Sequence, residues 1–211
     1  MKKQLLLIIT LLALLPLATQ GFNDVNKINV EGIFAEDFQQ KIAQALNNAE
    51  PTVFKTPIRG LEIYKGDAKL FGQLTVGGGK IMASGLVSIG GSLAKADDLL
   101  FVNNQIKANH ATFIIKSKNP SKPVLEVSDV AITYDFLKKN ALIQSLNKLE
   151  KIILPNNQVS LGFEQMLWLF DSQDIELNSG ASLLYIRSNN INHKGLDFLA
   201  KKVSYSFADK T

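Results

Sequence analysis

Ala68-Lys69-Leu70-Phe71-Gly72-Gln73-Leu74-Thr75-Val76, a Gly77-Gly78-Gly79 break, then Lys80-Ile81-Met82-Ala83-Ser84-Gly85-Leu86-Val87-Ser88-Ile89 decide the fold of this chain. Alternate positions of the first run are Ala68, Leu70, Gly72, Leu74 and Val76; those of the second are Ile81, Ala83, Gly85, Val87 and Ile89. Period-two alternation broken by a glycine turn reads as a β-hairpin. The small residues on this face, Ala68, Gly72, Ala83 and Gly85, permit tight bending or the close approach of another surface. The opposite positions are not cleanly polar, since Phe71, Met82 and Leu86 stand there among Lys, Gln, Thr and Ser. A sheet apolar on both faces must cover the second face, and helices are the candidates.

The pattern continues outward from this hairpin. Gly90-Gly91 turns the chain, and Leu99 to Val102, Gln105 to Lys116 and Val124 to Tyr134 extend the series, with turns at Asn103-Asn104 and Asn119-Pro120-Ser121. Before the hairpin, Phe34, Phe38, Ile42, Ala45 and Leu46 recur at helical spacing over 34–48, with acidic Glu36 and Asp37 in the first turn and Pro51 closing the region. A short strand at Ile28 to Val30 leads into it. After the sheet, Leu142, Leu146, Leu149 and Ile153 form a stripe that predicts a second amphipathic helix over 136–154, with Asp135 as N-cap and Pro155 as its stop. Strands follow at Val159 to Phe163, Ile175 to Leu177, Ser182 to Arg187 and Val203 to Phe207, and a helical turn is expected at Gly195 to Lys201. Gln165 to Phe170 is ambiguous between helix and strand.

These elements make an α+β fold, an antiparallel β-meander (bent sheet, barrel or sandwich) with two amphipathic helices packed on it. Residues 21–211 fit one such domain, long enough to bury a core without covalent staples. The chain has no cysteine, so no disulfide, thiol nucleophile, thiolate metal site or lipoprotein acyl anchor is available.

Residues 1–20 read as an address. Lys2 and Lys3 precede an apolar run from Leu5 to Ala18, followed by small and polar residues, in the order of a secretory signal peptide. The run is short for a membrane span and Pro16 interrupts it. The expectation is export to the periplasm, with a secreted or uncleaved, anchored form as the alternative. Removing Lys2 and Lys3 from the 23 basic residues leaves 21 against 19 acidic ones, so the basic balance is slight. Arg59 and Arg187 are the only arginines, and the lysines are spread along the chain, which argues against nucleic acid.

Motifs for chemistry are absent. Gly77-Gly78-Gly79-Lys80 lacks the spacing and the hydroxyl of a phosphate loop. Ser88 lacks the glycine two residues earlier that a nucleophile elbow wants. His110 reads as a buried, hydrogen-bonded histidine, with a pH-sensitive one as the rarer alternative, and His193 as loop surface; neither lies in a metal-binding spacing. Asp97 and Asp98 should point to opposite strand faces, and Asp171 and Asp174 read as turn or edge charges. No cofactor, metal or catalytic residue is expected. Met166 to Phe170 is the most apolar window beyond residue 20; core packing is its favoured reading, and a membrane-surface or partner patch around Trp168 the rival.

Residues 66–136 resemble the OstA-type family of periplasmic lipopolysaccharide-transport bridge proteins. That family repeats strands of the form small-x-apolar-x-Gly-x-apolar-x-apolar, matched by Ala68 to Val76, followed by Ala-Asp then apolar-aromatic strands. Ala96-Asp97-Asp98-Leu99-Leu100-Phe101 and Ser128-Asp129-Val130-Ala131-Ile132-Thr133-Tyr134-Asp135 are similar to the second form. Two amphipathic helices depart from that family's nearly all-β jelly roll. A helix, sheet, helix order instead resembles a small tubular lipid-binding module, whose bent sheet wraps a helix around an apolar groove. Both resemblances imply lipid handling. The expected function is an exported, non-enzymatic protein that binds or passes on a lipid-like ligand, with Leu70, Leu74, Ile81, Val87, Phe101 and Ile114 lining the groove. The alternative is a structural or assembly factor that binds an envelope protein through a sheet edge or the Trp168 region.

Overall fold

The computed structural model describes residues 28–116, 123–147, 151–154, 159–178, 184–188, 197–200 and 202–206; the signal-like segment and His193 lie outside them. Two short helices, α1 (Val30–Ile33) and α2 (Glu36–Leu46), open the fold. Strands β1 (Thr52–Lys55), β2 (Leu61–Ile63), β3 (Ala68–Gly77), β4 (Lys80–Ile89), β5 (Ser92–Val102), β6 (Gln105–Ile115), β7 (Leu125–Asp135) and β8 (Asn140–Ser145) follow. Then come β9 (Lys151–Leu154), β10 (Val159–Gly162), β11 (Gln165–Leu169), β12 (Asp174–Asn178), β13 (Leu184–Ser188), β14 (Asp197–Ala200) and β15 (Lys202–Ser206).

Eleven strands form one antiparallel sheet in the order β1-β3-β4-β5-β6-β7-β8-β11-β12-β15, with β2 also paired to β3. The sheet is bent and stays open, because its edges β1 and β15 do not pair. The α+β meander read from the sequence is the fold. Two excursions interrupt the meander at the same end: β9-β10 between β8 and β11, and β13-β14 between β12 and β15. They meet as a second sheet, ordered β14-β13-β10-β9.

One face of the large sheet is buried from β3 to β12, carrying Leu70, Leu74, Ile81, Val87, Leu99, Phe101, Phe113, Ile132, Ile143, Trp168 and Ile175 into a single core. Apolar burial on this scale is the main favourable term of folding. Ile33, Phe34, Ile42 and Ala45 of the helical segment join that core. The helix is seated by the first hairpin turn. Gly78 and Gly79, both at positive φ, donate their N–H groups to the carbonyls of Asn48 and Leu46, where the end of α2 leaves acceptors unmatched. Tyr64 fixes the other connection: its hydroxyl lies 3.0 Å from the carbonyls of both Asn103 and Gln105, and its ring stacks on Phe136.

Three expected elements differ. Ile28 to Val30 is not a strand; α1 begins at Val30 under a cap from the Asn29 side chain to the Glu31 N–H. The described residues of 136–154 are not helical but form a turn and the strands β8 and β9. Asp135 does accept the N–H groups of Leu137 and Lys138, as an N-cap would. Lys139 then takes a left-handed φ of 50°, and Asn140 returns to pair with Asp135, closing a hairpin instead. The expected turn at Gly195 to Lys201 contains strand β14.

Candidate functional site

The six residues expected to line a groove divide between the faces. Leu70, Leu74, Ile81, Val87 and Phe101 are at 0% exposure in the core, and Phe34 of the helical segment packs its ring 6.0 Å from that of Phe101. A ligand reaches these five only by displacing what covers them. Ile114 is half-buried on the opposite face. Trp168 is also fully buried, with its ring 6.4 Å from Phe113 in an edge-on contact, so it offers no surface to a membrane or partner. Met166 and Trp168 pack in the core, the favoured reading of their window, while Leu167, Leu169 and Phe170 of the same window are half-buried.

The solvent face carries the accessible site. Strand register aligns Val53, Thr75, Met82, Leu100, Lys107, Thr133, Leu142, Leu167, Glu176 and Ser204 as direct partners across ten neighbouring strands. Val53 is 57% exposed and Met82 39%, and Leu100, Leu142 and Leu167 are half-buried. On one side the next outward positions are Gln73, Ser84, Asp98, Asn109, Ala131, Gln144 and Gln165; on the other stand Lys80, Val102, Gln105, Asp135, Asn140 and Leu169, so most of the flanking side chains are polar.

Two depressions lie along the row. The first, about 440 Å³, is lined by Lys80, Met82, Asp98, Leu100, Lys107 and Thr133, among others. The second, about 230 Å³, is lined by Leu142, Gln165, Leu167, Glu176, Leu177 and Lys202. Thr133 of the first is the direct cross-strand partner of Leu142 of the second, so the two depressions adjoin across the strands as a trough in two parts.

A polar belt borders the trough. In β5, Ala96 and Leu99 are both buried with Asp97 and Asp98 outside; β6 repeats this with Ala108, Ala111 and the pair Asn109-His110; β7 repeats it with Val127, Val130 and the pair Ser128-Asp129. Each pair sits at or beside a break in strand register, where a β-bulge inserts a residue and reverses the alternation. Asp97 and Asp98 therefore share the solvent face instead of opposing one another. His110 and Asp129 take positive φ, a conformation that short polar residues and His tolerate better than most.

The belt is hydrogen-bonded from strand to strand. The Ser84 hydroxyl donates to Asp97, the Asn109 N–H donates to Asp98, and His110 Nδ1 lies 2.6 Å from Asp129 Oδ1, whose other oxygen accepts from Asn147 at 2.9 Å. His110 is thus exposed and not buried as expected. The sequence signal for this belt is a polar doublet inside an alternating apolar run, repeated in three strands.

Among the described residues no three metal-capable side chains converge, and no serine or threonine hydroxyl hydrogen-bonds the His110 ring. Lys116 Nζ donates to Ser88 Oγ at 2.8 Å, and partial burial lowers the pKa of that ammonium. Ser88 is the penultimate residue of β4, paired with Lys69 of β3 and Leu93 of β5. Burial pushes the Tyr64 and Tyr134 phenols up from their usual range, so both stay neutral.

No protein-family model, curated protein or solved structure matches the chain.

Proposed function

We propose that this chain is an exported cell-envelope protein that binds or passes on a lipid-like molecule, without catalysis, along the solvent face of its bent sheet. The observation that carries this reading is the register row from Val53 to Leu167, in which Val53, Met82, Leu100, Leu142 and Leu167 stand with Thr75, Lys107 and Thr133 between mostly polar rows, hollowed into two adjoining depressions. An extended apolar chain laid across the strands removes Met82, Leu100, Leu142 and Leu167 from water together, and the gain scales with the apolar area covered. The polar rows keep the face soluble when empty. Export is supported by Met1 to Gln20 alone; among the described residues no helix is long and apolar enough to cross a membrane.

The test is native mass spectrometry of the full chain, exported, delipidated and then exposed to lipid extract. Lipid-mass adducts on the parent protein, lost in Leu100→Glu and Leu167→Glu variants that still fold, are the expected result. Absence of any adduct on the folded parent protein refutes the reading.

The open edge of the sheet favours a second reading. Among the described strands β15 is paired on one side only, by β12, and a half-paired strand can accept a segment of another protein. An envelope protein crosslinked at Ser204, without lipid uptake, would identify the chain as an assembly factor.

A further inference from the structure

The charges of the trough are unevenly matched. Lys80 and Lys107 line its first depression, and among the described residues neither ammonium lies within 4 Å of a carboxylate. The carboxylate in that depression, Asp98, accepts the Asn109 N–H, and it is one negative charge against two positive ones. In the second depression Lys202 and Glu176 neutralise one another at 2.8 Å, and the remaining lining is Leu142, Leu167, Leu177 and Gln165. The lining of the first depression therefore carries one positive charge in excess, and that of the second is neutral and mostly apolar.

Resting on the reading that the trough holds a lipid-like molecule, we propose that its ligand is a single-chain amphiphile with an anionic headgroup, bound in one direction. The headgroup sits between Lys80 and Lys107, and the tail lies over Leu142 and Leu167. Lysine ammoniums on flexible stems act as point charges, so they accept a phosphate, sulfate or carboxylate without demanding a paired geometry. The single chain follows from the width of the apolar row at β8, where Leu142 stands between Asn140 and Gln144. The reach also fits. From β6 to β11 are three strand spacings, about 14 Å along the sheet.

The experiment measures affinity of the delipidated full chain for dodecyl phosphate, for monododecanoyl glycerol and for inorganic phosphate, below the concentrations at which either amphiphile forms micelles. Dodecyl phosphate should bind about tenfold tighter than the neutral amphiphile, the size expected for two partly exposed charge contacts, and the advantage should shrink as salt rises. The double variant Lys80→Gln, Lys107→Gln, at exposed positions that leave the core untouched, should bind both amphiphiles equally. A photoreactive group at the tail terminus should label Leu142 or Leu167.

Equal affinity of the parent protein for charged and neutral amphiphiles overturns this inference while leaving the lipid-like reading standing. Tail labelling at Met82 overturns the direction, and competition by inorganic phosphate as strong as that by dodecyl phosphate identifies a free-anion site instead. Concentration-dependent dimerisation with no amphiphile bound overturns both readings, since a second copy would then cover the face.

Discussion

Gly72 and Gly85 are direct partners across β3 and β4, and a side chain on either would run into the backbone of the opposite strand. A Cβ at Gly72 meets the Ser84 carbonyl oxygen, and one at Gly85 meets the Phe71 carbonyl oxygen. Both residues hold positive φ, +143° and +138°, a region closed to other residues without strain. Gly72→Ala or Gly85→Ala should each cost about 3 kcal/mol or more, combining backbone strain with a clash that only strand separation relieves. Urea unfolding followed by circular dichroism measures this; a loss below about 1 kcal/mol would contradict the close approach.

Asp135 should make stability acid-sensitive. Burial opposes its charge, but the Lys138 N–H, the Gln105 amide, the Lys138 ammonium and the Leu137 N–H outweigh it and hold the carboxyl below the usual carboxylate range. A folded pKa below the unfolded one adds stability that is whole above the unfolded value, about 4, and is lost as pH falls through the folded value. Asp135→Asn should be about 1 kcal/mol less stable than the parent protein at pH 7, with the gap narrowing on acidification below pH ~4. A gap independent of pH would remove Asp135 from this role.

Trp168 is the only tryptophan and is fully buried, so its fluorescence reports the core. Emission should be blue-shifted in the native protein, resist aqueous quenchers, and move to the red on unfolding. Trp168→Ala should cost about 3–5 kcal/mol, as large-to-small changes of a buried aromatic do. Native emission already at the position of free tryptophan would place the ring on the surface.

His110 separates a backbone requirement from an ion pair. Its contact with Asp129 is exposed, at 77% and 43% for the two side chains, so His110→Asn should change stability by less than about 1 kcal/mol. His110→Val should cost clearly more, because a β-branched residue resists the φ of 50° that the bulge demands. Comparable losses in both variants would assign the role to the charge pair.

The strands from Ala68 to Tyr134 were legible because each alternates at period two and ends at a turn dipeptide. Helix α2 was legible from its apolar spacing. Residues 136–154 misled for a physical reason: Leu142 and Leu146 sit at helical spacing, but Ala141 and Ile143 supply the buried face of β8, and capping at Asp135 serves a hairpin as well as a helix. Of the residues expected near a ligand, Leu70, Leu74, Ile81, Val87 and Phe101 were correctly grouped on one face, and that face is core. The trough was not legible, because a row across strands depends on register, and the doublets at Asp97, Asn109 and Ser128 shift that register.

The direct measurement is photocrosslinking with a long-chain amphiphile carrying a diazirine in its tail, followed by peptide mapping of the full chain. Saturable labelling confined to the solvent-face row, at Leu142 and Leu167 for the direction inferred above, is the result expected of a ligand lying along that row. Labelling of Leu70, Leu74 or Phe101 would place the ligand inside the core beneath the helices, and no saturable labelling at all would contradict lipid-like binding on either face.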